Sequence, residues 1–318
     1  MKKRFAKGLL VLAIAIGVLI NIALLIRDFH PTTVESLKAI DKNLIITLLF
    51  LLILSWLIEG LRLKWLSNKL KINLNLKDAI KLHLVTMFGA FSTPLGSGEI
   101  PMFMYWGLKK GEDLESFSAL AILRLLFTKM IFLSFIVANY IIYRGNRGWG
   151  AVGEGAFYAV TVMVLGTFLF YTALVFKLNS LKKLTKFIKF LPNKFKDKEV
   201  VVTPQVKEIL LHKPFIPFLL TLCYWIVFFS PAIILAQRLN LPLNPIGLLF
   251  QQATVYMTIP LSPVPGGAGV VELLYYGIFS NLLSGGQLAV FILIIRFINF
   301  YIPLMVGAFI AIRETKLF

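Results

Sequence analysis

The sequence has one cysteine, Cys223, and it sits inside an apolar run. A disulfide framework and a cysteine metal site are therefore excluded. There are only three histidines, His30, His83 and His212, scattered without the spacing a metal centre needs. Charge is scarce, at 15% of 318 residues, against roughly a quarter in soluble domains. Acid is scarcer still: 15 Asp and Glu stand against 33 Lys and Arg, giving a formal charge of +18. No nucleotide-binding motif is present, and no cofactor is expected. What fills the chain instead is apolar residue, 58% of the total.

These apolar residues are gathered into long runs. Residues 8–26 contain only one polar side chain, Asn21. At about 1.5 Å rise per residue, such a run crosses a hydrocarbon core of roughly 30 Å. Further runs cover 44–58, 118–143, 156–176, 215–239 and 287–312. Only helices or closed barrels satisfy the backbone in lipid, and unbroken apolar runs of this length are helical. The expectation is an all-α polytopic membrane protein with about six spanning helices. The first run follows Lys2, Lys3, Arg4 and Lys7 as a signal peptide would, but it is too long and lacks a small-residue cleavage site, so a retained helix is expected.

The basic residues fall between the runs. Four precede residue 8, and Arg62, Lys64, Lys69, Lys71, Lys77 and Lys81 follow the second run. Residues 177–213 hold ten lysines against Asp197, Glu199 and Glu208, and Arg313 and Lys316 close the chain. The positive-inside rule makes each cluster cytoplasmic, with both termini inside the plasma membrane of a prokaryote. It accounts for most of the charge without nucleic acid. Within 177–214, Leu181, Leu184, Ile188 and Leu191 recur at helical spacing among lysines. That pattern predicts a short amphipathic helix on the anionic inner leaflet.

Two stretches do not read as plain spans. Residues 78–110 centre on STPLGSGEIP and residues 244–283 on PLSPVPGGAGVVE. In each, an apolar helical run meets a cluster of proline and glycine and then resumes. Proline removes a backbone donor and glycine permits turns closed to other residues. Thr93, Pro94, Gly96, Gly98 and Pro101 form the first breaker, and Pro263, Pro265, Gly266, Gly267 and Gly269 the second. Each stretch is expected to be a re-entrant hairpin of two half-helices. The spacing also keeps step: Pro94 lies 30 residues before Arg124, and Pro265 lies 31 before Arg296. Glu99 and Glu272 precede the same arginines by 25 and 24. Residues 1–150 and 151–318 then form two membrane repeats. With three crossings each, the second enters from the opposite side, as in the inverted repeats of secondary transporters.

PLSPVPGGAGVVE followed by LLYYGIFS resembles the signature of the lysylphosphatidylglycerol synthase transmembrane region, a flippase-like family. STPLGSGEIPMFMYWGLKKG is similar to the first motif of that family through Thr93, Pro94, Gly98, Pro101, Tyr105 and Gly111. It departs from it at Glu99 and Ile100, where relatives often carry glycine and glutamine. The resemblance covers nearly the whole chain. It implies translocation between leaflets of a lipid such as an anionic or aminoacylated phospholipid, a glycolipid or a polyprenyl-linked carrier. Fused relatives carry a soluble aminoacyl-transferase domain, for which these 318 residues leave no room.

Ionisable groups in a span are costly and should face the protein interior. Arg124, Lys129, Arg296, Glu99 and Glu272 are therefore expected to find partners, either as static ion pairs or as a headgroup site. An arginine suits phosphate through bidentate geometry, and free amides near Gly98 and Gly267–Gly269 would add donors. Gln251, Gln252, Tyr256 and Asn299 are candidates to line the same cavity. Glu59 is read as a helix-end residue at the interface. The leading expectation is a lipid transporter with Arg124 and Arg296 on the headgroup and Glu272 tuning them. The alternatives are an intramembrane transferase based on Glu272, for which no nucleophile or metal set is seen, and a non-transporting partner of a lipid-modifying enzyme.

Overall fold

A computed structural model describes residues 31–143, 149–177, 204–280 and 282–315. The expected span at 8–26, His30, Lys316 and the amphipathic helix around 181–191 lie outside these residues. Among the described residues every regular element is helical. Five helical stretches are long and apolar enough to cross a membrane: Lys42–Lys69, Leu114–Tyr143, Gly150–Phe176, Phe215–Arg238 and Gly285–Glu314. The chain is an all-α polytopic membrane protein.

In chain order, a short α1 (Pro31–Lys38) leads to the long α2 (Lys42–Lys69), which starts where the Asp41 carboxylate accepts the Leu44 N–H at 2.8 Å. A hairpin of α3 (Leu76–Phe91) and α4 (Glu99–Lys109) follows, joined by a 3₁₀ turn at Pro94–Gly96, and then the long α5 (Leu114–Tyr143). Next come α6 (Gly150–Lys177) and α7 (Pro204–His212). After α8 (Phe215–Arg238), α9 (Pro245–Met257) and α10 (Val270–Phe279) form a hairpin around 3₁₀ turns at Ile259–Leu261 and Pro265–Gly267. The last crossing is α11 (Gly285–Arg296), a π-turn at Phe297–Tyr301, and α12 (Ile302–Thr315).

Helix α2 does not end near Ile58. It runs on to Lys69, and Glu59 and Arg62 are 0% and 1% exposed. The helix-end reading of Glu59 and the loop reading of Arg62 are both corrected. Sequence counting stopped the span at the first charged residues, whereas tertiary contacts bury them.

The loops that close α2 and α8 share one conformation. Lys71 and Asn240 adopt positive φ, 60° and 51°. The next N–H in each bonds five residues back, Ile72 to Ser67 O and Leu241 to Ala236 O, both at 2.9 Å. This is the Schellman closure of a helix end. Four residues after each positive-φ position an asparagine caps the next helix: Asn75 accepts from Asp78 N–H, and Asn244 from Ile246 and Gly247 N–H.

Helices α2 and α8 are packed together and antiparallel, with Asp41 at the start of one paired to Arg238 at the end of the other. The two hairpins therefore begin at opposite ends of this pair. At the base of the first, Lys110 meets Asp78 at 3.3 Å and Glu314 of α12 at 3.5 Å. Their tips meet inside the bundle, where Leu95 N–H donates to Ser262 O at 2.9 Å.

Candidate functional site

The two tip turns use the same backbone. Thr93 and Val264 are extended, Pro94 and Pro265 open the turns, and the following Leu95 and Gly266 sit at φ/ψ of 57°/16° and 60°/13°. Gly96 and Gly267 continue at positive φ, 61° and 68°. Such angles are strained for residues with a Cβ, so glycine is expected there. At Gly266 space also requires it, because a Cβ would lie 2.1 Å from the Phe300 ring. In the first hairpin, the chain comes into close contact at Gly89 and Gly98, where a Cβ on Gly98 would lie 2.5 Å from Gly89 O. The Thr93 hydroxyl donates to Gly89 O and accepts the Gly98 N–H, at 2.8 and 2.7 Å. The amides once expected to await an anion are already used: Gly98 by Thr93, Gly267 by Val264 O, and Gly269 by Glu272. Pro101 falls in the first turn of α4, where its missing N–H costs no helical bond, and Pro263 is exposed beside the second turn.

Beside the tips lies a cavity of about 290 Å³ walled by both hairpins, α5, α6 and α8. Five charged side chains gather there. Glu59 Oε1 accepts from Arg62 Nη2 at 2.6 Å and from Arg124 Nε at 3.0 Å. Arg124 Nη1 also donates to Glu99 Oε1 at 2.7 Å, and Arg62 Nη1 to the Thr221 hydroxyl at 2.9 Å. Arg124 is thus strung between a fully buried acid and one whose side chain is 33% exposed. The fifth charge, Lys129, lies five residues further along α5 and lines the cavity at 9% exposure. Among the described residues it makes no hydrogen bond or ion pair, and the acid that acts on it electrostatically, Glu99, already holds Arg124. His83 lines the same space with both ring nitrogens unpartnered, as are Glu59 Oε2 and Arg62 Nε.

The second arginine is placed differently. Arg296 Nε donates to Glu272 Oε1 at 2.9 Å, and Nη1 and Nη2 both reach Gly266 O at 3.2 Å. Its guanidinium lies 4.0 Å from the centre of the Phe300 ring. Glu272 is 0% and Arg296 4% exposed. Arg296 borders a separate void of only about 30 Å³, shared with Gln252, Tyr256 and Asn299. Gln252 Oε1 accepts from Tyr275 at 2.6 Å, and Asn299 Nδ2 donates to Phe228 O at 3.0 Å. Tyr256 borders both spaces. Gln251 is buried but borders neither.

The structure therefore brings Glu99, Arg124 and Tyr256 together with Lys129, and sets Glu272, Arg296, Gln252 and Asn299 on the other side of the touching tips. Arg62 and His83 were not among the sequence candidates for the site. The available signal was a Glu and an Arg spaced i, i+3 on an apolar helix, a pairing geometry. No group of three metal-ligating side chains is found among the described residues.

A family model described as the lysylphosphatidylglycerol synthase TM region matches residues 9–307. The UPF0104 membrane protein of Archaeoglobus fulgidus is similar to this chain, 22% identical over 313 residues, covering 92% of this chain and 94% of its own.

Proposed function

The chain belongs to the lysylphosphatidylglycerol synthase transmembrane-region family, and from that premise we propose that it carries a lipid between membrane leaflets through the cavity where its hairpins meet. The observation that carries this reading is Lys129, an ammonium with no ion pair of its own in a cavity halfway along a membrane-crossing helix, where the facing Glu99 is already bonded to Arg124. A buried charge without a partner is strongly unfavourable. An anionic headgroup entering the cavity supplies what it lacks.

Arg124 completes the receptor. Its bond to Glu59 fixes the guanidinium, while its bond to the more exposed Glu99 can be exchanged for a phosphate oxygen. Arg296 takes a supporting role, tying α11 to the second turn through Gly266 O and Glu272.

We read the two halves as an inverted repeat with re-entrant hairpins. The antiparallel α2 and α8, their matched closing loops and the matched tip turns support it. The base of the first hairpin carries Lys77, Lys81, Lys109 and Lys110, while the second has no lysine or arginine from 239 to 247. The first base is then cytoplasmic in a plasma membrane.

Purified protein in liposomes with headgroup-labelled lipids tests the proposal. Wild type should speed leaflet exchange of at least one anionic lipid, and Arg124→Ala should slow it tenfold or more. If wild type moves every lipid no faster than empty liposomes, transport is the wrong reading. Accumulation of a chemically modified lipid would replace it with an enzyme.

A further inference from the structure

Charge balance around the cavity narrows the cargo. Two acids, Glu59 and Glu99, face two arginines, Arg62 and Arg124, and each acid is already in an ion pair with an arginine. Lys129 is left over, so these five charged side chains carry one net positive charge. The remaining polar wall is uncharged: Thr86, Thr128 and Thr167 offer hydroxyls, and Tyr171, Tyr224 and Tyr256 offer phenols and ring faces. Among the described residues Glu99 is the only carboxylate in the wall itself. A headgroup carrying a single phosphate charge would neutralise the site. A headgroup that also carries an ammonium would bring a second cation beside Lys129, and the one acid facing it already holds Arg124.

Size and surroundings point the same way. About 290 Å³ takes a headgroup and not a whole lipid. On α6, Met163, Thr167 and Tyr171 recur every fourth residue and line the cavity. Other faces of that helix expose Val162, Leu165, Leu169 and Phe170. Acyl chains can thus lie along α6 while the headgroup reaches inward.

We infer that the cavity selects an anionic phospholipid whose headgroup beyond the phosphate is uncharged, such as a glycerol or sugar, and rejects aminoacylated or other ammonium-bearing headgroups. Lys129 is the specificity-determining residue. The inference rests on the reading of the cavity as a lipid passage. It separates this chain's cargo from a lysylated lipid, because like charges disfavour the wrong ligand as effectively as contacts favour the right one.

The test is binding to the purified full chain in neutral detergent, followed by tryptophan fluorescence. The probes are dioctanoyl phosphatidylglycerol, its lysyl ester, dioctanoyl phosphatidylcholine and glycerol 3-phosphate. Phosphatidylglycerol should bind at least tenfold tighter than the lysyl ester and phosphatidylcholine. Lys129→Glu should abolish or invert that ratio, and Lys129→Arg should keep it. Equal or tighter binding of the lysyl ester by wild type overturns the inference, as does an unchanged ratio in Lys129→Glu. Should Lys129→Glu fail to fold, the wild-type ratio and the loss of preference in Lys129→Met decide the matter. Glycerol 3-phosphate binding as tightly as the lipid would overturn assignment to a lipid. Selective binding without leaflet exchange sinks the transport reading alone, whereas leaflet exchange that favours the lysyl ester sinks this inference alone.

Discussion

Arg124 and Arg296 occupy matching places in the sequence but not in chemistry. Arg124 keeps one hand on a partly exposed acid; Arg296 has a buried acid, a backbone carbonyl and a ring on every side. Removing one member of a buried pair leaves an uncompensated charge, at about 3–5 kcal/mol, whereas replacing both with apolar or neutral isosteres is often close to neutral. Arg296→Ala should therefore lower thermal stability in detergent sharply, and Glu272→Gln with Arg296→Met should recover much of it. An Arg296→Ala protein as stable as wild type would show that the clamp holds nothing. The glycines give a second contrast. Gly266→Ala meets the Phe300 ring at 2.1 Å at positive φ, while Gly155→Ala on α6 meets nothing within 4 Å. The first should be destabilised by about 1–3 kcal/mol and the second left unchanged, as read from unfolding midpoints. Much of this was legible in the sequence, since charged residues in apolar runs announce themselves. What was hidden was which partner each would find. Arg62 looked like the start of a basic loop, and its contact with Thr221, 159 residues away, has no local signature.

At the scale of elements, the proline and glycine clusters marked where α3 breaks from α4 and α9 from α10, because breakers inside apolar runs have few other uses. The matched loops closing α2 and α8 were not seen in advance. Their sequences, LKINLN and LNLPLN, share only the opening leucine, one further leucine and the final helix-capping asparagine. Lys71 and Asn240 stand at the same positive-φ position, so the shared property is a backbone angle and not a residue. Leu95 and Gly266 are the same case at the tips. A leucine in the left-handed region costs roughly 1–2 kcal/mol, and Leu95 is 53% exposed, so its side chain returns little through burial. Leu95→Gly should therefore keep or raise the unfolding temperature, and Leu95→Val should lower it. If valine proves harmless, the tip turn does not hold the angle in solution.

For the whole molecule, the question is how the bundle lies across the membrane. Loop charge alone gave an ordering of crossings, because lysines cluster between apolar runs. It could not tell which charged segments run on as helix, and α2 continues through Arg62 and Lys64 to Lys69. The packing adds an independent constraint: α2 and α8 are antiparallel, so the hairpin after each must begin at opposite ends. The hairpin tips cannot report this, since Leu95 and Ser262 touch. The bases can. Lys109 closes the first hairpin and Pro242 precedes the second, and both are exposed. On a Cys223→Ser background, Lys109→Cys should react with an impermeant maleimide only in inverted vesicles, and Pro242→Cys only in intact cells. Labelling of both from one face would mean that the two hairpins share a side, and the inverted repeat would have to be given up.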